Sequence, residues 1–354
     1  MSLLFTPLSL RSVTLPNRIA VSPMCQYSAV DGHPNEWHLV HLGSRAVGGA
    51  GLVLTEATAV SAVGRISPED TGLYDDAHVA SWRRVTDFVR GQGSVPGVQL
   101  AHAGRKASTY PPFYERHGGV ADDEGGWTPV APSPEAFVES YREPVELDEA
   151  GIAGVIADFA AAARRALEAG FEVVEVHAAH GYLLHEFLSP LSNHRADGYG
   201  GTFDNRARLT LEVTRAVRDA VGEDVPVLVR ISATDWVEGG WTTEDSVQLA
   251  TALKLAGADL IDVSTGGNVP HAEIPVGPGY QVPHAAAVRA KADVPTAAVG
   301  VITDAHQAEQ VLADGSADLV LLARELLRDP YWPLHAAKRL GAQVTPPEQY
   351  ARAF

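Results

Sequence analysis

The sequence predicts a (β/α)₈ TIM barrel, and three observations carry that prediction. Short, continuously apolar runs recur at 18–22, 52–58, 97–100, 173–177, 227–231, 260–263, 296–299 and 319–322. Most lack the alternation of a half-exposed strand and suit parallel strands buried on both faces. Amphipathic stretches lie between them, among others at 77–90, 148–169, 204–221 and 243–255, with Asp204 and Thr243 at the expected N-caps. The junctions also repeat: Ala50-Gly51-Leu52, Ala169-Gly170-Phe171 and Ala256-Gly257-Ala258 each close a helix and start a strand. Glycine there tolerates the left-handed conformation that ends helices. A doubly wound open sheet is the competing arrangement. No gap divides the eight units, which favours one barrel domain over residues 1–354.

Composition bounds the function. The chain has 354 residues, 45% hydrophobic and 20% charged, as expected of a globular enzyme. A formal charge of −17 argues against nucleic acid or anionic membrane as a partner. Cys25 is the only cysteine, so no intrachain disulfide is possible and a reducing, cytoplasmic setting is expected. The first ten residues lack a basic region followed by a long apolar run, so no signal peptide is expected. The alanine-rich stretch at 159–169 carries Arg164, Arg165 and Glu168, which excludes a membrane span there.

A barrel places its chemistry at the C-terminal ends of its strands, so those ends are read in chain order. The first runs into Pro23-Met24-Cys25-Gln26-Tyr27. The third holds Gln99, followed by His102 and Arg105, and then a long connection, 106–148, rich in proline, glycine and acidic residues. The fourth ends at His177, with His180 and Tyr182 beyond and a second long connection, 178–203. Long loops inside a compact fold are usually lids or binding loops. The fifth strand carries Arg230, the sixth runs into Ser264-Thr265-Gly266-Gly267, the seventh ends at Gly300 and the eighth at Ala323-Arg324.

Several of these residues admit more than one role. His177 and His180 are two ligands of a metal site, two donors converging on a substrate oxygen, or loop imidazoles satisfied in packing. Tyr182 beside them favours the donors, because a phenol delivers a proton without being ionised at neutral pH. Arg230 lies in an apolar strand and needs a partner: a barrel carboxylate such as Glu56 or Glu175, or a bound anion or electron-rich ring. Glycines after the sixth and seventh strands, with Arg324, outline a phosphate cradle. Cys25 is a small buried residue or a site residue without an identifiable base.

Four separated segments then fall into one pattern: Pro23-Met24-Cys25-Gln26-Tyr27-Ser28; Gln99 through His102 to Lys106; His177-Ala178-Ala179-His180-Gly181-Tyr182-Leu183; and Ser189-Pro190-Leu191-Ser192-Asn193 through Asp197-Gly198-Tyr199-Gly200-Gly201 to Asn205-Arg206. In these the chain resembles the old yellow enzyme family of NAD(P)H:FMN ene-reductases, in its short thermophilic-like bacterial branch. The likeness runs from Leu4 to Phe354. It implies noncovalent FMN, with Pro23, Met24, Cys25, Ala57, Gln99 and Arg230 around the flavin ring. Gly300, Ala323 and Arg324 would hold its phosphate, with Gly266 and Gly267 near its path. His177 and His180 resemble the donor pair for the substrate, Tyr27 a further substrate contact, Tyr182 the proton donor, and Cys25 a tuning and substrate-contacting residue. The implied cycle alternates two halves in one site: NADPH (or NADH) delivers hydride to the flavin, then an enone, maleimide or nitro compound receives it. Gln349-Tyr350-Ala351-Arg352 resembles a segment that inserts an arginine into a neighbouring subunit's site, so Arg352 implies a homodimer or homotetramer.

Two departures stand out: Phe354 where a tryptophan is frequent, and Ala323 where a glycine is usual. The second matters only if the backbone there must be left-handed. Among rival functions, a metal-dependent hydrolase would add His102 or a similar third ligand and no metal is expected here. Larger relatives carrying iron–sulfur clusters are excluded because a single cysteine cannot ligate one. A catalytically silent flavin-binding protein is the third rival.

Overall fold

A computed structural model describes residues 2–353, so Phe354 lies outside the described residues. The eight anticipated runs all form strands: β1 Ile19–Val21, β2 Leu52–Ala59, β3 Val95–Ala101, β4 Val173–Ala178, β5 Val227–Ser232, β6 Leu260–Ser264, β7 Thr296–Ala298 and β8 Leu319–Leu322. They close in sequence order into an eight-stranded barrel in which every pairing is parallel. The principal helices outside it are α1 Glu36–Val47, α2 Ala77–Gly91, α3 Glu149–Glu168, α4 Phe203–Val221, α5 Thr243–Leu255, α6 Val282–Ala292, α7 Ala305–Ala313 and α8 Trp332–Leu340. No helix among the described residues is long and apolar enough to cross a membrane.

Two apolar layers hold this arrangement. The larger lies between strands and helices, where outward residues such as Val21, Val53, Val98 and Val229 meet Leu42, Trp82, Phe159 and Leu249. The smaller fills the lower barrel interior with Ala20, Leu54, Val173, Leu228, Leu260 and Leu321. A short antiparallel hairpin, Leu8–Leu10 with Val13–Leu15, adds Leu10 and Leu15 to that layer and plugs its base. Side chains alternate along a strand. The next inward positions on β4, β5 and β6 are therefore Glu175, Arg230 and Asp262, and the ones above are His177, Ser232 and Ser264. Apolar packing gives way to charge as the barrel rises, which is where the site begins.

Local details differ from expectation in instructive places. The caps of α4 and α5 are Thr202 and Thr242, one or two residues before Asp204 and Thr243. Thr242 forms a reciprocal capping box with Asp245, and Thr243 turns instead to His284 Nδ1 at 2.8 Å. Gly170 and Gly257 are left-handed (φ 86° and 103°), but at the first junction that role belongs to Gly49 (φ 90°). Gly51 is needed for space: a Cβ there would lie 2.6 Å from the Asn17 carbonyl oxygen.

The two long connections are structured. The first contains Val130–Ala131 paired in parallel with Val145–Glu146, and the second a short buried helix, Leu183–Leu188. They brace each other: buried Arg195 donates to the carbonyls of Leu147 (2.6 Å) and Pro132 (3.2 Å) and pairs with Asp197 (2.5 Å). β2 slips register between Leu54 and Ala57, a bulge that sends Glu56 outward to Gln26 N (2.8 Å) and His38 Nε2 (3.1 Å) and leaves Ala57 facing the barrel mouth. We predict that Thr242→Ala lowers unfolding free energy by about 1–2 kcal/mol in urea titrations. Asp204→Ala should cost well under that.

Candidate active site

At the C-terminal mouth of the barrel lies a cavity of about 550 Å³, within the range of small-molecule and cofactor sites. Pro23, Cys25, Ala57, Gln99, His177, His180, Tyr182, Arg230, Gly300, Ala323 and Arg324 all line it. Residues separated by hundreds of positions in sequence thus converge on one space. Met24, Tyr27, Gly266, Gly267 and Arg352 are not among its lining residues.

Arg230 is the deepest charge. Its Nε lies 3.0 Å from Asp262 Oδ2, directly across the β5–β6 register, and its Nη1 donates to Ser22 Oγ at 3.2 Å. The partner is therefore Asp262 and neither Glu56, which is held toward α1, nor Glu175, whose Oε1 accepts from Gln99 Nε2 at 2.8 Å. The ion-pair distance is short, yet Arg230 Nε and both Asp262 oxygens make no aligned hydrogen bond. The pair is thus held by charge more than by directional bonding. Asp262 was readable in principle, since it interrupts an apolar strand just as Arg230 does. Burial pushes the Glu175 carboxyl up to about 8, reinforced by Asp262 and opposed by Arg230, so at neutral pH it is mostly protonated. Burial pushes the Asp262 carboxyl up as well, opposed by the Arg230 charge that faces it.

His177 and His180 stand above this pair with rings edge to face, centroids 5.1 Å apart. Both pKa values lie well below the ordinary histidine range, first because of desolvation and then because of the Arg230 charge. Both rings are therefore neutral at pH 7 and each carries one N–H. His177 Nδ1 accepts from Ala179 N at 3.2 Å, which places its proton on Nε2, 3.4 Å from His180 Nδ1. His180 has a left-handed backbone (φ 60°), followed by left-handed Gly181 (φ 71°). For a non-glycine residue that conformation is costly and is kept only where the surroundings enforce it. Here His180 N donates to Ser232 Oγ at 2.9 Å, and Lys106 Nζ donates to the carbonyls of His180 (2.8 Å) and Gly267. Gly267 and Gly181 serve this clamp, because a Cβ on either would strike the other turn's backbone. That is their place, behind His180.

Tyr182 packs edge-on against His177 (centroids 5.0 Å). Burial raises its pKa well above the usual phenol value, so it remains a proton-bearing donor at all physiological pH. Cys25 is open to the cavity on one side but otherwise enclosed. Desolvation, then Asp70 and Glu56, push its thiol up, which makes it a neutral contact and a poor nucleophile. Tyr27 lies beyond Tyr182, lining an adjoining recess of about 320 Å³ with Lys106, Tyr110 and Phe137. Burial there holds the Lys106 ammonium down near 7, a perturbation for which nothing in the local sequence gives a signal, since its carbonyl partners come from two distant loops.

At the other end, Gly300 adopts φ 121°, and a Cβ would press to 2.9 Å on Gln281 Nε2. Ala323 precedes the short helix Arg324–Arg328 with φ −104°, so alanine sits there without left-handed strain. A flat group with an anionic tail fits this cavity: Gly300 and Arg324 stand at one end, and at the other Arg230, whose Nε has unused hydrogen-bonding capacity. Among the described residues no cluster of three His, Cys, Asp or Glu could hold a metal ion, and His102 Nδ1 accepts from Gly104 N instead of joining His177 and His180. Arg352 is exposed, in a turn after the segment Glu348–Tyr350.

Comparison with known proteins gives one answer. Residues 3–343 match the model of the NADH:flavin oxidoreductase / NADH oxidase family. An NADPH dehydrogenase of Geobacillus sp. (strain WCH70) is 48% identical over 355 residues, covering 100% of this chain and 99% of its own. Among solved structures, morphinone reductase superposes with a TM-score of 0.80 at 30% identity, covering 99% of this chain and 92% of its own. The old yellow enzyme homologue from Zymomonas mobilis does so with a TM-score of 0.77 at 27% identity, covering 97% and 94%.

Glu186 offers a check on the electrostatics away from the cavity. Its carboxyl is fully buried beside Arg105 N and is pushed up to about 8 by desolvation. A folded pKa above the unfolded value of ~4.3 contributes stability that is complete below ~4.3 and is lost as pH rises through about 8. Between pH 5 and 7.5, Glu186→Gln should therefore flatten the fall of unfolding free energy with pH by one proton, about 1.4 kcal/mol per pH unit.

Proposed function

Since this chain belongs to the NADH:flavin oxidoreductase / NADH oxidase family, and is a flavin oxidoreductase of the NADPH dehydrogenase class, we propose that it reduces activated C=C bonds with FMN as the bound cofactor. The single observation carrying this reading is the pair of neutral imidazoles, His177 Nε2 and His180 Nδ1 only 3.4 Å apart, opening on the cavity beside Tyr182. Bound FMN would supply hydride chemistry, accepting from NADPH (NADH as the alternative) and donating to the β-carbon of an enone, maleimide or nitroalkene.

The chain's residues do the rest. His177 and His180 donate to the substrate's carbonyl or nitro oxygen, and each aimed donor contributes ~3 kcal/mol as enolate-like charge develops there. Tyr182 delivers its proton to the α-carbon from the face opposite the hydride. Arg230 and Gln99 would hold the electron-poor edge of the bound flavin, where the arginine's charge would favour the anionic reduced form. Pro23, Cys25 and Ala57 would enclose the ring, with Met24 behind them off the cavity wall, and Gly300, Ala323 and Arg324 would receive the phosphate.

Tyr27 adds a substrate contact from the adjoining recess. The exposed Arg352, which does not line its own chain's cavity, reaches a neighbouring subunit's site in a homodimer or homotetramer. The whole chain, 1–354, acts as one FMN-binding barrel domain in the cytoplasm, the compartment in which a lone cysteine stays reduced.

Stopped-flow measurement of the two half-reactions tests the assignment. His177→Ala/His180→Ala should keep FMN and its reduction by NADPH, while 2-cyclohexenone reduction slows by at least ~10²-fold. Unchanged enone kinetics would discard the pair's role. Tyr182→Phe should slow the same half-reaction by less, because solvent can supply a proton. Arg230→Met should loosen FMN or lower its reduction potential; a variant with both properties unaltered would return Arg230 to a purely structural part.

A further inference from the structure

The pair is useful only if both imidazoles point an N–H into the cavity, and the structure shows what decides this for His180. His177 is settled by its Nδ1 accepting from Ala179 N, which leaves Nε2–H facing the cavity. A neutral His180 can carry its proton on either nitrogen. If the proton sits on Nε2, Nδ1 is a lone pair that takes the His177 proton, and the two rings satisfy each other. If it sits on Nδ1, both N–H groups face a ligand oxygen.

His180 Nε2 meets one hydroxyl, Ser264 Oγ, at 2.7 Å. That hydroxyl has one proton and two possible acceptors: His180 Nε2, or Gln281 Oε1 at 3.2 Å. Gln281 does not need it. Its amide is oriented by Nε2 donating to the Val299 carbonyl at 3.1 Å, and its Oε1 already accepts from Thr265 Oγ1 at 2.7 Å. The shorter distance favours the Ser264 proton going to His180, and Gln281 Oε1 then keeps its bond from Thr265. Ser264, Thr265 and Gln281 are all buried.

We propose that Ser264 is a positioning residue that donates its hydroxyl proton to His180 Nε2 and thereby holds His180 in the Nδ1–H form that the substrate oxygen requires. No covalent bond changes. With His180 already in the Nδ1–H form, a carbonyl ligand that enters finds His177 Nε2–H and His180 Nδ1–H both facing its oxygen, and no N–H bond has to break. Residues of β6 thus set the chemistry of a side chain on the loop after β4. The inference rests on the proposed enone reduction and deepens it.

The test uses ¹⁵N-histidine-labelled, FMN-loaded oxidised enzyme saturated with 2-cyclohexenone, with ring nitrogens read by NMR and enone reduction measured separately. Wild type and Ser264→Thr, which retains the hydroxyl, should show His180 protonated at Nδ1. Ser264→Ala should move the proton to Nε2 and slow enone reduction about ten- to hundredfold, the upper end being that of a lost donor, with FMN retention unchanged. In a His180→Asn background, whose amide has no tautomer, the Ser264→Ala effect should shrink to about twofold or less, a coupling that a merely structural role would not produce. A His180 that keeps its Nδ1 proton in Ser264→Ala overturns the inference. If His180→Ala alone leaves enone reduction unslowed, it is the parent assignment that fails; if His180→Ala slows it while Ser264→Ala keeps the Nδ1 proton, only the role of Ser264 does.

Discussion

The buried ion pair between Arg230 and Asp262 is the constraint around which the upper half of this barrel is organised. Two charges in a barrel interior cost several kcal/mol each in lost hydration, and their attraction repays that only incompletely when hydrogen bonds are left unmade. Here they are left unmade, at Arg230 Nε and at both Asp262 oxygens. An arrangement of that kind contributes little to stability. Its effects on its neighbours are plain, however. The arginine's field, added to desolvation, keeps His177 and His180 neutral. The carboxylate helps to keep Glu175 protonated. Beneath the mouth of the barrel the Arg230 cation therefore faces neutral imidazole and phenol donors, an environment suited to an electron-rich ring and to an oxygen that gathers negative charge.

Geometry is enforced by a second device. The left-handed backbone at His180 is unfavourable on its own, and it is fixed by the Lys106 ammonium, the Ser232 hydroxyl and the glycine-on-glycine contact between the 181 and 267 turns. The two long connections also brace one another through Arg195. Preorganisation of this type places donors before charge develops, which is where electrostatic catalysis gains most.

Much of the fold was legible because buried parallel strands leave a period-free apolar signature. All eight were placed within a few residues, and β5 stood out because a charge interrupted it. The partner of that charge was harder: Glu56 and Glu175 also lie on barrel strands, and only the β5–β6 register and the β2 bulge single out Asp262. Caps at Thr202 and Thr242 were missed because a neighbouring Asp or Thr offered the same chemistry one or two positions later. The family resemblance, more than spacing, points to many of the residues that line the cavity, whereas Met24, Tyr27, Gly266 and Gly267 lie off its wall. What neither pattern nor resemblance conveyed were contacts between distant loops: Lys106 under His180, Ser264 behind it, and Gly267 against the 180–181 turn.

The most direct single measurement is an anaerobic visible spectrum of the purified protein, taken before and after NADPH and again after 2-cyclohexenone. The account predicts flavin absorbance that bleaches with NADPH and returns on addition of the enone. A colourless protein that takes up no added FMN, or a bleached flavin that the enone leaves bleached, would contradict it.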